Sequence, residues 1–221
     1  MEQTHDELTQ LCNLTWLPWV GKEYFECKTR FLIIGDRHYL DPYKPEDNPA
    51  RLKDDYTQRV IGEDVMYGEY YGNTTFPNLL RAIKGDGKFD QEQFWNRVAY
   101  HNIIQRPMSS IFERPRPVDY IKGWEVLFEL LDILKPDVCL FNGITAANYI
   151  ANNYLAVPFY EYTIFKGDAI DKSYPRIMNI YNEDGSTIKC VFIQNSARYF
   201  PAEKWYEFLN RELGAEFALL K

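Results

Sequence analysis

The chain has 221 residues, 46% of them hydrophobic and 26% charged, with a formal net charge of -7. That length suits one well-buried domain, and no apolar run approaches the ~20 residues of a membrane span, so no membrane-spanning helix is expected. The acidic balance also excludes attraction of the whole molecule to nucleic acid through its average field, leaving only local basic strips to hold a phosphate backbone.

The opening Met1-Glu2-Gln3-Thr4-His5-Asp6-Glu7 is acidic where a secretory leader needs a basic region, so a cytoplasmic protein is expected. Cys12, Cys27, Cys139 and Cys190 form no C-x-x-C and no ligand spacing with histidine, which predicts free thiols and no metal. Residues 1–30 read as an arm, helical in part, seated on the core by Leu8, Leu11 and Leu14. Phe31-Leu32-Ile33-Ile34-Gly35 is a short strand buried on both faces, ending in the polar run Asp36-Arg37-His38-Tyr39. Residues 40–73 form a long polar excursion with one helix expected over 55–64, and excursions of that length are usually functional.

A helix over 76–83 opens on Pro77 and stops at Gly85-Asp86-Gly87, and Asp90 with Gln93 marks a capping box before Phe94 and Trp95. Residues 98–102 form a second strand ending at Asn102, with His101 pointing to the opposite face. Asp119 is the expected cap of a long helix whose Ile121, Trp124, Leu127, Phe128, Leu131 and Leu134 share one face. A third buried strand over 137–143 leads into a helix over 144–153, and residues 160–164 alternate as an exposed strand. Residues 176–181 and 187–194 flank the turn Asn182-Glu183-Asp184-Gly185-Ser186 as a hairpin, and Pro201 opens a last helix that Gly214 closes. Strands alternating with helices predict one α/β domain spanning 1–221, three-layered α/β/α, with a central mostly parallel sheet of about four strands plus an added hairpin.

Three strands end in polar groups: Asp36 with His38, Asn102, and Gln194-Asn195-Ser196. Parallel neighbours would bring these ends to one rim of the sheet, where ligands of open α/β folds sit. Residues 97–122 hold five basic side chains (Arg97, Arg106, Arg114, Arg116, Lys122) against two acidic ones, a strip able to meet phosphate, whereas residues 36–72 carry nine acidic against five basic.

In the order and spacing of these segments the chain resembles the uracil-DNA glycosylase superfamily. Ile33 to Tyr39 corresponds to the water-activating loop, residues 76–83 to the following helix, and residues 98–102 to the strand ending in the base-reading asparagine. Lys122-Gly123-Trp124-Glu125 corresponds to the start of the long helix, residues 138–143 to a core strand, and Phe192 to Arg198 to the last strand and its loop. The resemblance runs from about residue 31 to 210. It implies a monomeric, cofactor-free enzyme that takes a damaged or modified base out of single- or double-stranded DNA.

Breaking an N-glycosidic bond puts positive charge on the sugar and negative charge on the departing base, so a site needs a group on a water and donors on the base. The resemblance makes Asp36 the group that orients water and Asn102 the reader of a pyrimidine edge; His38, by its own chemistry and not from the resemblance, is a candidate base beside Asp36 or a phosphate contact. Tyr39, Tyr71 and Phe76 are candidate stacking platforms, and Gln194 and Asn195 occupy the last-loop position where most active members carry a histidine that donates to the leaving base. Arg37, Arg106, Ser196, Arg198 and Tyr199 are the expected DNA contacts. The missing histidine and the acidic charge keep open a second reading, a non-catalytic nucleic-acid- or protein-binding module. Arg37 in place of a serine after Gly35-Asp36 argues against an esterase, and no G-x-G-x-x-G supports a dinucleotide enzyme.

Overall fold

The computed structural model describes residues 2–70, 73–87, 90–151, 161–197 and 199–218. In chain order its principal elements are α1 (Glu2–Thr9), β1 (Trp19–Val20), β2 (Phe31–Gly35), α2 (Asn48–Arg51), α3 (Tyr56–Arg59), α4 (Thr75–Lys84), α5 (Gln91–Arg97) and β3 (Val98–Asn102). There follow α6 (Pro117–Leu134), β4 (Val138–Asn142), α7 (Thr145–Ala151), β5 (Glu161–Lys166), β6 (Arg176–Tyr181), β7 (Thr187–Ile193) and α8 (Ala202–Ala218).

The strands form one seven-stranded sheet in the order β1-β3-β2-β4-β7-β6-β5. The central four, β3, β2, β4 and β7, are parallel, and antiparallel pairings lie outside them: β1 on β3 at one end, β6 on β7 and β5 on β6 at the other. Every residue of β2, β3 and β4 is buried, as expected of strands covered on both faces.

Alternation along those strands divides the core in two. On one face Leu32, Ile34, Ala99, Cys139 and Phe141 meet Leu8 of α1 and Tyr120, Trp124, Leu127 and Leu131 of α6. On the other, Phe31, Ile33, Tyr100, Leu140 and Val191 meet Phe76 and Leu80 of α4, Trp95 of α5, and Trp205 and Leu209 of α8. The result is a helix, sheet, helix sandwich, each buried large apolar side chain being worth roughly 1.5–3 kcal/mol. All four cysteines are free thiols, and Cys139 and Cys190 are neighbours in the β4–β7 register.

Several elements differ from expectation. The long helix starts two residues before Asp119: Arg116 is the cap, Pro117 opens the first turn, and Asp119 accepts the Arg116 backbone N–H at 2.7 Å. The helix expected over 55–64 is a single turn of α-helix followed by a wider π-turn over Val60–Asp64. Gly214 does not stop the last helix, which runs on to Ala218 because Leu213 and Phe217 keep its apolar face in the core. The hairpin strand β7 belongs to the parallel core rather than the edge, and the short edge strand β1 carries no periodicity to betray it.

Candidate functional site

All three polar strand ends lie at the carboxyl rim of the parallel core: Gly35 pairs with Asn102, and Asn142 with Ile193. The β2–β3 pairing continues past the strands, Ile103 N donating to Gly35 O and Ile104 N to Asp36 O, each at 3.0 Å. This extension holds Asp36 and Arg37 out over the end of the sheet.

Beyond that rim, on the α6 face, is a cleft of about 600 Å³. Its floor is Ile34, Ile103 and Phe141; Asp36 and Arg37 come from the β2 loop, Thr145 and Tyr149 from α7, and Gln194 and Asn195 from the β7 loop. Burial raises the Asp36 carboxyl above the ordinary aspartate range, partly offset by the Arg37 guanidinium that donates to it. The Arg37 Nε is buried without a hydrogen-bond partner among the described residues, while the guanidinium lies 5.3 Å from the centre of the Tyr39 ring.

Tyr120 and Tyr149 stack with ring centres 4.6 Å apart and planes within 6° of parallel. Burial, and the nearby Asp36 carboxylate, push the Tyr120 hydroxyl upward, and it shares a hydrogen bond with Thr145. Across the cleft, Gln194 Oε1 accepts from Ser173 Oγ at 3.0 Å, and the Gln194 amide nitrogen makes no hydrogen bond among the described residues. Asn195 is committed to its own turn, its Oδ1 accepting from Ala197 N at 3.1 Å and its Nδ2 donating to Asn142 O at 3.4 Å. The arrangement suits a planar polar ring: aromatic and apolar walls for its faces, an amide donor at one side and a carboxylate at the other.

Of the expected site residues, the cleft gathers Asp36, Arg37, Gln194 and Asn195. Asn102 turns to the opposite face of the sheet, where its Oδ1 accepts from Tyr100 Oη and its Nδ2 donates to His38 Nε2, both at 3.0 Å. Its expected role as base reader is therefore corrected: both ends of the amide are spent inside the protein. His38 is likewise no helper of Asp36. Its Nε2 also meets Thr57 Oγ1 at 2.8 Å, the ring packs between Trp16 and Tyr56, and burial lowers its pKa to about 3, so it is neutral.

Phe76 is core, packed on Trp95 and Tyr100 beneath the other face, and Tyr39 lies outside the cleft, in a bridge with Met108. Neither is a platform in this arrangement. Arg106 is no DNA contact: its Nε and Nη2 each donate to Asp119 at 2.8 Å and its Nη1 to Glu113 at 2.6 Å, which leaves no face for phosphate. Ser196 is fully buried and donates to Thr75 O at 2.8 Å, a structural tie between β7 and α4. Tyr199 is 89% exposed and does not line the cleft. Tyr71 and Arg198 lie outside the described residues.

Sequence reasoning missed Tyr120, Tyr149, Thr145 and Phe112, and marked Arg114 only as part of a basic strip; all five line the cleft. Tyr120 sits one place before Ile121, outside the set of residues taken for the buried face of α6; Thr145 and Tyr149 lie on the short helix α7 and Phe112 in the connection before α6, and no period marks any of them as facing a site.

No protein-family model matches the chain, and no curated protein sequence matches it. Among the described residues no cluster of three His, Cys, Asp or Glu side chains is placed to hold a metal ion, and no helix is long and apolar enough to cross a membrane.

Proposed function

We propose that the chain is a DNA base glycosylase, hydrolysing the N-glycosidic bond of uracil or a related modified or mismatched pyrimidine, with the base held in the cleft between Asp36 and Gln194. The observation that carries this reading is the pairing of a desolvated carboxylate with an unspent amide donor on opposite sides of a cavity of about 600 Å³. In this reaction Asp36, ionised, accepts a hydrogen bond from a water and aims it at the sugar C1′. The C1′–N bond breaks, its electron pair goes to the base, the water oxygen bonds C1′, and the water's proton passes to Asp36. The Gln194 amide N–H meets the negative charge growing on the base. A neutral amide does this less well than a charged donor, so a slow enzyme is expected.

Asn102, His38 and Thr57 serve this reading from behind, locking the loop that carries Asp36 to the end of β3 and to α3. The second reading, a module that binds nucleic acid without releasing a base, is favoured by one observation: Arg37 already occupies the Asp36 carboxylate. Incubating the protein with single- and double-stranded oligonucleotides bearing uracil or other modified pyrimidines, then treating with alkali, separates the two. Strand scission by the wild type and its loss in Asp36→Asn supports the glycosylase; retention of DNA without scission supports the module.

A further inference from the structure

Between β3 and α6 the chain holds Ile111 and Phe112 out into water, 66% and 83% exposed, at the mouth of the cleft. The turn that presents them is fully braced. Glu113 accepts from the Ser109 N–H and from Arg106 Nη1, each at 2.6 Å, Phe112 N donates to Ser110 Oγ at 3.2 Å, and Arg106 is clamped in turn by Asp119. Pro115 and Pro117 stiffen the exit. Burying such side chains against the body would be easy for a slack loop; here the polar scaffold prevents it. Beside Phe112, Arg114 lines the cleft with no ion-pair partner among the described residues, and Arg116 is 65% exposed.

We propose that Phe112 is a stacking platform for a nucleobase of single-stranded nucleic acid, the neighbour of the base in the cleft, with Arg114 on the intervening phosphate. The inference rests on the reading of the cleft as a base site and adds the form of the substrate. An aromatic face offered beside a cationic side chain is what unpaired strands bind: the base stacks and the guanidinium neutralises backbone charge. In a duplex the neighbouring base is already stacked between others, so its face is closed to Phe112. The loop after β7, whose Gln194 and Asn195 line the cleft, goes on to an exposed Tyr199.

The test is fluorescence anisotropy of a labelled oligo-dT single strand, and of a duplex of the same length, at several salt concentrations. Phe112→Ala weakens single-strand binding by about tenfold and duplex binding little, Phe112→Trp binds as wild type and shows fluorescence quenching by DNA beyond that of the wild type, and Arg114→Gln lowers the salt slope by about one. Unchanged binding by Phe112→Ala, no added quenching in Phe112→Trp, or a wild type that binds no single strand overturns the proposal. Capture of Phe112 by lipid vesicles rather than DNA does so too. Base release measured in parallel separates the two readings. Release with Phe112-independent binding sinks the platform alone, and Phe112-dependent binding without release sinks the glycosylase alone.

Discussion

Asp36 and Arg37 are neighbours in sequence and partners in charge, and their balance sets the reactivity of the cleft. Burial raises the carboxyl, the guanidinium lowers it, and burial is the larger effect. Because the carboxylate form orients water, activity falls as pH drops through this raised pKa. Arg37→Gln removes the charge that opposes burial, so the acid limb of the kcat/KM profile moves to higher pH while the rate at alkaline pH is less affected; an unmoved limb would show that another group titrates. Tyr199 shows a different economy. Its φ of 65° is a left-handed conformation that costs a non-glycine residue about 1–2 kcal/mol, and the ring is held in solvent. Tyr199→Gly is expected to raise thermal stability by about 1 kcal/mol while weakening DNA binding, measured by calorimetry and anisotropy on the same variant.

At the scale of elements, the site depends on two close approaches that only glycine allows. A Cβ on Gly35 would fall 1.9 Å from Tyr100 Oη and 2.3 Å from Asn102 Oδ1, and one on Gly123 would fall 2.0 Å from Ile103 O. Gly123 thus lets α6 lie directly on the backbone after β3, which seats Tyr120 in the cleft wall. Gly123→Ala is expected to destabilise the fold by about 1–3 kcal/mol in urea unfolding and to weaken binding in the cleft, through the shift of α6. The strands β2, β3, β4 and β7 were legible because parallel strands covered on both faces read as short apolar runs, and α6 and α8 because their core-facing residues keep helical spacing. Local sequence also marked Asp36, Arg37, Gln194 and Asn195, since a polar group after a buried strand has nowhere to go but the rim. What it could not convey is which face of the sheet each strand-end side chain takes. Asn102 and Asp36 end adjacent strands, yet alternation sends the amide to the α4 face, where Tyr100 and His38 consume it. Arg106 illustrates the converse error: a basic residue in a basic strip, spent entirely on Asp119 and Glu113.

For the whole molecule, the two buried histidines make stability depend on pH. His38 and His101 are both held neutral by burial, their pKa values lowered to about 3. In the unfolded chain each takes up a proton near pH 6.5, so below that the unfolded state binds more protons and is favoured; their share of stability is whole above pH 6.5 and drains away as pH falls toward 3. Together they are expected to cost about 4 kcal/mol between pH 7 and pH 5, as seen in urea unfolding, and His101→Gln should roughly halve that slope. Asp36 acts with the opposite sign, its raised pKa favouring the folded state as it protonates, but it is one group against two. This robust core around a rigid rim lets the cleft hold a desolvated carboxylate at all. The central claim is that Asp36 acts on a base lodged against Gln194. It is tested most directly by following alkali-labile sites in a uracil-containing single strand with the wild type, Asp36→Asn and Asn102→Ala side by side at one pH. The account predicts scission by the wild type, none above background by Asp36→Asn, and residual scission by Asn102→Ala, whose side chain lies outside the cleft; equal scission by wild type and Asp36→Asn, or none by the wild type on any modified pyrimidine, contradicts it.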